Sequence, residues 1–247
     1  MDDHELATDL ASRAGALLLD LRADAATEGL EGKALGAAGD SRADELLLAE
    51  LRRERPGDPV LSEESKDDRS RLGSPRVWIV DPLDGTREYS EGRSDWAVHV
   101  ALVEGTTPTA AAVALPGEAM TLSTRPAPPP RAEPPARPRI LVSRTRPPGF
   151  AAVLCDEIGG ELVPMGSAGA KAMAVVRGLA DVYAHAGGQY EWDSAAPVGV
   201  AAAAGMHVSR VDGSPLTYNA ADPYLPDLLV CHPSLAEQVL DVLGRLL

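Results

Sequence analysis

Asp81 and Asp84 stand three residues apart at the end of the apolar, β-branched run Val77-Trp78-Ile79-Val80-Asp81-Pro82-Leu83-Asp84-Gly85-Thr86. A strand that buries its length and delivers two carboxylates at its C-terminal end is costly unless something cationic meets them. Pro82 fixes φ and removes an amide donor, and Gly85 permits a tight turn. The Leu83 carbonyl between the acids is a further oxygen ligand, and an oxygen-only set of this kind suits Mg²⁺. The same residues also read as a strand followed by an ordinary Asp-Gly turn. Taken alone, the segment leaves both readings open.

A metal site built on these two acids needs more oxygen from elsewhere. Glu63, beside Glu64, follows the short apolar run Val60-Leu61-Ser62. Asp40 follows Gly36-Ala37-Ala38-Gly39, which reads as a flexible segment, and precedes a helix. Asp193 opens the helix of Glu191-Trp192-Asp193-Ser194-Ala195-Ala196. Singly, Asp40 and Asp193 serve as helix N-caps and the Glu63-Glu64 pair as solvated charge. Their joint occurrence points to a shared cation.

The elements that must position these acids follow from periodicity. Leu6, Leu10, Ala14, Leu17, Leu18 and Leu21 fall at helical spacing over residues 4–24. A second amphipathic helix is predicted over 41–54 and is stopped by Pro56-Gly57. Strands are predicted at 60–62, 76–80, 96–103 and 109–115. The proline-dense stretch 125–138 cannot join a sheet or a helix interior, so it reads as a linker or surface loop. Beyond it, a strand at 139–142, a helix at 167–178, a strand at 180–184, a helix at 193–204, a strand at 227–231 and a helix at 234–246 are predicted. This divides the chain into an N-terminal α+β domain, residues 1–124, and a C-terminal α/β domain, residues 139–247. The alternation of strands and helices predicts a layered α/β arrangement.

The 247 residues are 45% hydrophobic and 24% charged, a globular composition. No apolar run reaches the ~18 residues of a membrane span. The acidic start Met1-Asp2-Asp3-His4-Glu5 is unlike a secretory leader, so the expected setting is cytoplasmic. Cys155 and Cys231 make neither a disulfide framework nor a zinc site. The net charge of −14 argues against a nucleic-acid polymer as partner. His99, His185, His207 and His232 lie in or beside apolar segments with no partner at readable spacing, and are expected to be core or surface histidines.

Asp81-Pro82-Leu83-Asp84-Gly85-Thr86, preceded by Glu63-Glu64 and followed by Trp192-Asp193-Ser194-Ala195-Ala196, resembles the inositol monophosphatase superfamily over nearly the whole chain. Gly85-Thr86-Arg87-Glu88-Tyr89 resembles the Gly-Thr-Lys-Glu-Phe form of its 3'(2'),5'-bisphosphate nucleotidase branch, and Glu191–Ala196 resembles the same branch. The resemblance implies a layered α-β-α-β-α sandwich and a Mg²⁺-dependent phosphomonoesterase acting on the 3'-phosphate of 3'-phosphoadenosine 5'-phosphate or its sulfated relative. It assigns Glu63, Asp81 and the Leu83 carbonyl to one Mg²⁺. Asp81, Asp84 and Asp193 go to a second, with a looser third that Li⁺ would replace. Two such metals ~3.5–4 Å apart clamp the attacking and leaving oxygens of an in-line displacement. Thr86, hydrogen-bonded to Asp40, would orient and deprotonate the attacking water.

By the same resemblance, amides near Gly85 and Thr86 would hold the phosphate. Ser143, Arg144, Gly166, Ser167, Lys171 and Asp193 would contact the rest of the substrate, a small phosphorylated anion. Homodimers are common in the superfamily. The chain departs from the pattern at Ala37-Ala38-Gly39-Asp40, where a threonine usually stands three residues before the aspartate. It departs again at Val113-Ala114-Leu115-Pro116, where a tyrosine is usual. The region around Lys33 is also short. Alternative activities are inositol 1-phosphate or fructose 1,6-bisphosphate hydrolysis, or metal and phosphate binding without catalysis.

Overall fold

The computed structural model describes residues 1–247. The Asp2 carboxylate accepts from the Glu5 amide at 3.0 Å, and Glu5 accepts from the Asp2 amide at 2.9 Å. This reciprocal cap opens α1 (Asp3–Glu28), which ends at Gly29 in the left-handed conformation. The buried stripe of α1 contains Leu6, Leu10, Ala14, Leu18 and Leu21, as the spacing predicts.

Helix α2 (Gly32–Glu54) starts well before the expected residue 41, and Gly36-Ala37-Ala38-Gly39 lies inside it. Asp40 is therefore a mid-helix residue and not an N-cap. The two glycines provide close approach. A Cβ on Gly36 would lie 2.6 Å from Thr86 Cγ2, and one on Gly39 would lie 3.0 Å from Leu83 Cδ2.

The first sheet has the order β1 (Val60–Ser62), β2 (Arg76–Asp84), β3 (Ala97–Glu104), β4 (Thr107–Leu115), β5 (Met120–Ser123). Its β1–β2 pair is parallel and the rest is antiparallel. Short α3 (Thr86–Ser90) follows β2. The second sheet holds β6 (Arg139–Ser143), β7 (Glu161–Met165), β8 (Val182–Tyr190), β9 (His207–Ser209) and β10 (Tyr224–Cys231), in the order β7-β6-β8-β10-β9. Strand β6 is parallel to both β7 and β8. The remaining helices are α4 (Ala151–Glu157), α5 (Ala168–Val176), α6 (Glu191–Ala203) and α7 (Ala236–Leu246).

Alternation along β2 makes the layers. Trp78 and Val80 pack on α1 and α2 with Leu10, Leu18 and Leu47. Val77 and Ile79 face the opposite way, onto α5 and α6, and share their core with Leu141, Tyr183 and Leu228 of the second sheet. The outer face of that sheet buries Ile140, Val182 and Leu229 against α4 and α7 through Leu154, Val239 and Leu243. The result is the expected α-β-α-β-α sandwich. The sequence reading missed α3, α4, β5, β7 and β9; neither helix exceeds two turns, and the three strands bury few of their residues. In β7, Pro164 is tolerated because the strand is a sheet edge.

Residues 125–138 form no helix or strand. Arg131 nonetheless pins the segment down. It donates to the carbonyls of Val175 (3.0 Å) and Ala180 (2.7 Å) and to Asp181 Oδ1 (2.8 Å). No helix is long and apolar enough to cross a membrane.

Candidate active site

Strand β2 ends in a turn that gathers its own acids. The Leu83 amide donates to Asp81 Oδ1 at 3.0 Å, and Gly85 takes φ 92° so that α3 can begin at Thr86. Strand β8 runs directly into α6, whose third residue is Asp193. The Asp193 carboxylate accepts from the Tyr190 amide at 2.6 Å, so it caps the helix while facing the β2 turn. One oxygen from each of Asp81, Asp84 and Asp193 lies within 4.8 Å of the others.

Charge repulsion and burial act on this cluster together. Burial, then the charges of Glu63, Asp84 and Asp193, hold Asp81 well above the ordinary carboxylate range. Burial, followed by Asp84, pushes Asp193 up to about 6. Glu63 is exposed at the mouth of the cleft, yet lost hydration of its crowded carboxylate, with Asp193, Asp84 and Glu64 beside it, pushes it up to about 7. Asp84 goes the other way. Burial acts to raise it, but His99, the Ser167 hydroxyl and the Gly169 amide outweigh burial and hold it at about 2.

The close packing of α2 on α3 brings the second pair together. Thr86 Oγ1 lies 3.2 Å from Asp40 Oδ1 and 3.2 Å from the Leu83 carbonyl, either of which can accept its proton. Burial, then the Glu64 charge, pushes Asp40 up to about 7, and the Thr86 hydroxyl opposes the shift.

The residues expected on the substrate side are placed less directly. Ser143 Oγ accepts from the Arg146 amide at 3.2 Å. Arg144 is paired with Glu88 (2.9 Å) and Glu91 (2.7 Å). The Gly166 amide donates to Asp95 at 2.7 Å. Ser167 Oγ donates to Asp84 Oδ2 at 2.5 Å, and the Gly169 amide adds a bond of 2.6 Å to the same oxygen. Lys171 is buried beneath this turn. A cavity of about 460 Å³ opens beside the cluster, lined by Ser62, Glu63, Asp67, Arg69, Trp192 and Asp222. A larger one of about 550 Å³, against the proline-rich segment, includes none of the acids.

A model of the inositol monophosphatase family matches residues 3–126 and 141–243. The chain belongs to the inositol monophosphatase family. Among relatives, it is 52% identical to 3'-phosphoadenosine 5'-phosphate phosphatase of Mycobacterium leprae, over 98% of this chain and 94% of that protein. It is 31% identical to the 3'(2'),5'-bisphosphate nucleotidase CysQ of Escherichia coli K12, over 76% of this chain and 81% of that one. Among solved structures, CysQ from Bacteroides thetaiotaomicron superposes with a TM-score of 0.78 at 27% identity, covering 92% of this chain and 95% of that one.

The acid cluster of this family member fits a metal. Asp81 Oδ2 is buried without a hydrogen-bond partner, and the single His99 ring, 3.9 Å from Asp81 and 3.3 Å from Asp84, carries at most one positive charge against three carboxylates. Hard oxygen donors of this sort favour Mg²⁺-like cations.

Sequence reasoning passed over residues that hold this site. His99 pairs with Asp81 in the β2–β3 register. Its Nδ1 lies 3.0 Å from the Trp192 carbonyl and its Nε2 lies 3.3 Å from Asp84 Oδ2. A polar residue at an inward position beside Asp81 was the available signal, visible once the two strands are paired. Arg71, 1% exposed, donates to Asp67 (2.8 Å), the Asn219 side chain (2.8 Å) and the Ala220 carbonyl (2.9 Å). Glu191 accepts the Asn219 and Ala220 amides, both at 2.8 Å. This network ties the loop that follows Glu63 to the helix that carries Asp193, and no spacing in the sequence announces it.

Proposed function

We propose that the protein is a Mg²⁺-dependent phosphomonoesterase that removes the 3'-phosphate of 3'-phosphoadenosine 5'-phosphate, giving AMP, and acts on the sulfated form in the same way. The observation that carries this reading is the 52% identity, along nearly the whole chain, to a mycobacterial phosphatase of that name. The clustered acids at the ends of β2 and β8 support it.

In this reading Glu63, Asp81, the Leu83 carbonyl, Asp84 and Asp193 hold two or three Mg²⁺. When bound, the ions supply charge neutralisation on the phosphate and acidify water. The backbone at Gly85 and Thr86 opens α3 and offers N–H donors to the phosphate oxygens. Thr86 Oγ1 accepts a proton from the attacking water while giving its own to Asp40 Oδ1. Asp40, with a pKa pushed up to about 7, is matched to that task near neutral pH. Residues 1–124 carry the metal-binding motifs in this scheme, residues 125–138 connect, and residues 139–247 supply Asp193 and the nucleotide side through Ser143, Arg144 and the Gly166-Ser167 turn. Inhibition by Li⁺, a homodimeric state, a cytoplasmic setting and a role in sulfur assimilation belong to the same reading.

The test is phosphate release with Mg²⁺, comparing kcat/KM for 3'-phosphoadenosine 5'-phosphate and inositol 1-phosphate. A preference for the nucleotide of about a hundredfold, about 2.7 kcal/mol in transition-state binding, is the expected result. Comparable rates, or a preference for the inositol ester, leave a phosphatase and overturn the nucleotide assignment.

A further inference from the structure

Glu63 differs from the other acids of the site in what carries it. Asp81 and Asp84 end a strand and Asp193 opens a helix, whereas Glu63 begins the loop that leaves β1. Asp193 and Asp84 stand close enough to repel its charge, so without restraint the loop would swing it out toward water. Two restraints hold it.

The first is local. Asp44 of α2 accepts the Ser62 hydroxyl at 2.5 Å and the Ser65 hydroxyl at 2.9 Å, one on each side of Glu63. The second crosses the molecule. Buried Arg71 gives Nε (3.1 Å) and Nη2 (2.8 Å) to Asp67 Oδ2, within the loop of Glu63. Its Nη1 goes to the Asn219 side chain (2.8 Å) and the Ala220 carbonyl (2.9 Å), 148 and 149 residues further along the chain. The amides of those two residues end on Glu191, which stands two places before Asp193. Both segments are bent for the contact: Arg69 and Asn219 each hold φ at 63°. A planar guanidinium serves the two segments at once, whereas the donors of an ammonium radiate from one point.

We propose that Arg71 is a positioning residue for the acid cluster: it fixes the loop of Glu63 against residues 219–220, and through Glu191 against the start of α6, so that Glu63 and Asp193 keep the spacing a shared cation needs. It touches neither metal nor substrate. This role rests on the metal-holding reading of the acids, and the behaviour of the parent protein separates the two.

Arg71→Lys keeps the charge and loses the fork. Calorimetry with Mn²⁺ alone, well below the Tm of each protein, is expected to show a Kd raised about tenfold or more. The Mg²⁺ concentration for half-maximal phosphate release is expected to rise by the same factor. Val239→Ala, in the core between the second sheet and α7, controls for lost stability: its Tm is expected to fall while its Mn²⁺ Kd stays parental. Should Arg71→Lys behave like that control, Arg71 would be a stabiliser of the fold and nothing more, and the proposal would fail. A lowered kcat with a parental Mn²⁺ Kd would make Arg71 a substrate contact and sink it equally. Where Arg71→Lys does not fold, Asn219→Gly carries the test. Glycine suits φ 63° and keeps the amide given to Glu191, so only the side chain that accepts from Arg71 is lost. Its Mn²⁺ Kd is expected to rise about threefold or more, and a parental value overturns the proposal. A parent that bound no Mn²⁺ would remove the metal reading of the acids, and the role of Arg71 with it.

Discussion

Asp84 is the most heavily partnered acid of the site, and its partners decide what its loss would do. Asp84→Asn keeps the size and loses the charge, so the chain is expected to fold while turnover drops by about three orders of magnitude, about 4 kcal/mol of transition-state stabilisation. Circular dichroism and a phosphate-release assay check both halves. Thr86→Ala is expected to lower kcat about 10²- to 10³-fold with KM little changed, since in the proposed reading its hydroxyl serves the proton transfer; steady-state kinetics that showed a raised KM alone would make Thr86 a binding residue. The other acids set a pH dependence. Asp40 and Glu63 at about 7, Asp193 at about 6 and Asp81 above its ordinary range all favour the protonated form when folded. Their contribution is full below the ordinary carboxylate pKa and is lost as pH rises through about 6 to 7. Asp84, held at about 2, has already given its share above pH 4. Without metal, therefore, Tm is expected to fall between about pH 5.5 and about pH 8. Mg²⁺ is expected to restore it, most strongly at the higher pH. Thermal scans in EDTA and in excess Mg²⁺ measure the difference, and a metal-free Tm that climbed over that range would contradict it.

Helix α2 shows how far the sequence could be read and where it misled. The leucines at 46, 47, 48 and 51 announced a helix, but Gly36 and Gly39 suggested a flexible lead-in. Their actual purpose, contact with Thr86 and Leu83, depends on a tertiary neighbour that local pattern cannot display. The strand with Asp81 and Asp84 was legible because burial and charge conflict within ten residues. His99 was not, because its partners arrive through strand pairing and through the Trp192 carbonyl of α6. The same packing gives a test at the level of the helix. Gly36→Ala gains up to ~1 kcal/mol of helix propensity, yet the new methyl would stand 2.6 Å from Thr86 Cγ2. Overpacking of ~1–3 kcal/mol is expected to win, lowering Tm and, by shifting Asp40 from Thr86, lowering kcat. A Tm above that of the parent would show that α2 can move aside.

Across the whole molecule, the largest core cluster draws on both sheets: Val77 and Ile79 from one, Leu141, Tyr183 and Leu228 from the other. The fragment 1–124 is therefore expected to be insoluble or to expose its sheet, and to bind Mn²⁺ far more weakly than the full chain. Sedimentation and calorimetry would show this, and a soluble monomer with parental affinity would mean that the first sheet needs no cover. The acids divide in the same way, Asp81 and Asp84 from β2 and Asp193 from α6. On a ribosome, the first two emerge more than a hundred residues before the third. A nascent chain thus passes through a long interval in which one face of its first sheet is bare and only part of its acid cluster exists. In the proposed reading, tight metal binding would begin only once α6 has been made and docked, so the bound ion would report that the second sheet has closed on the first.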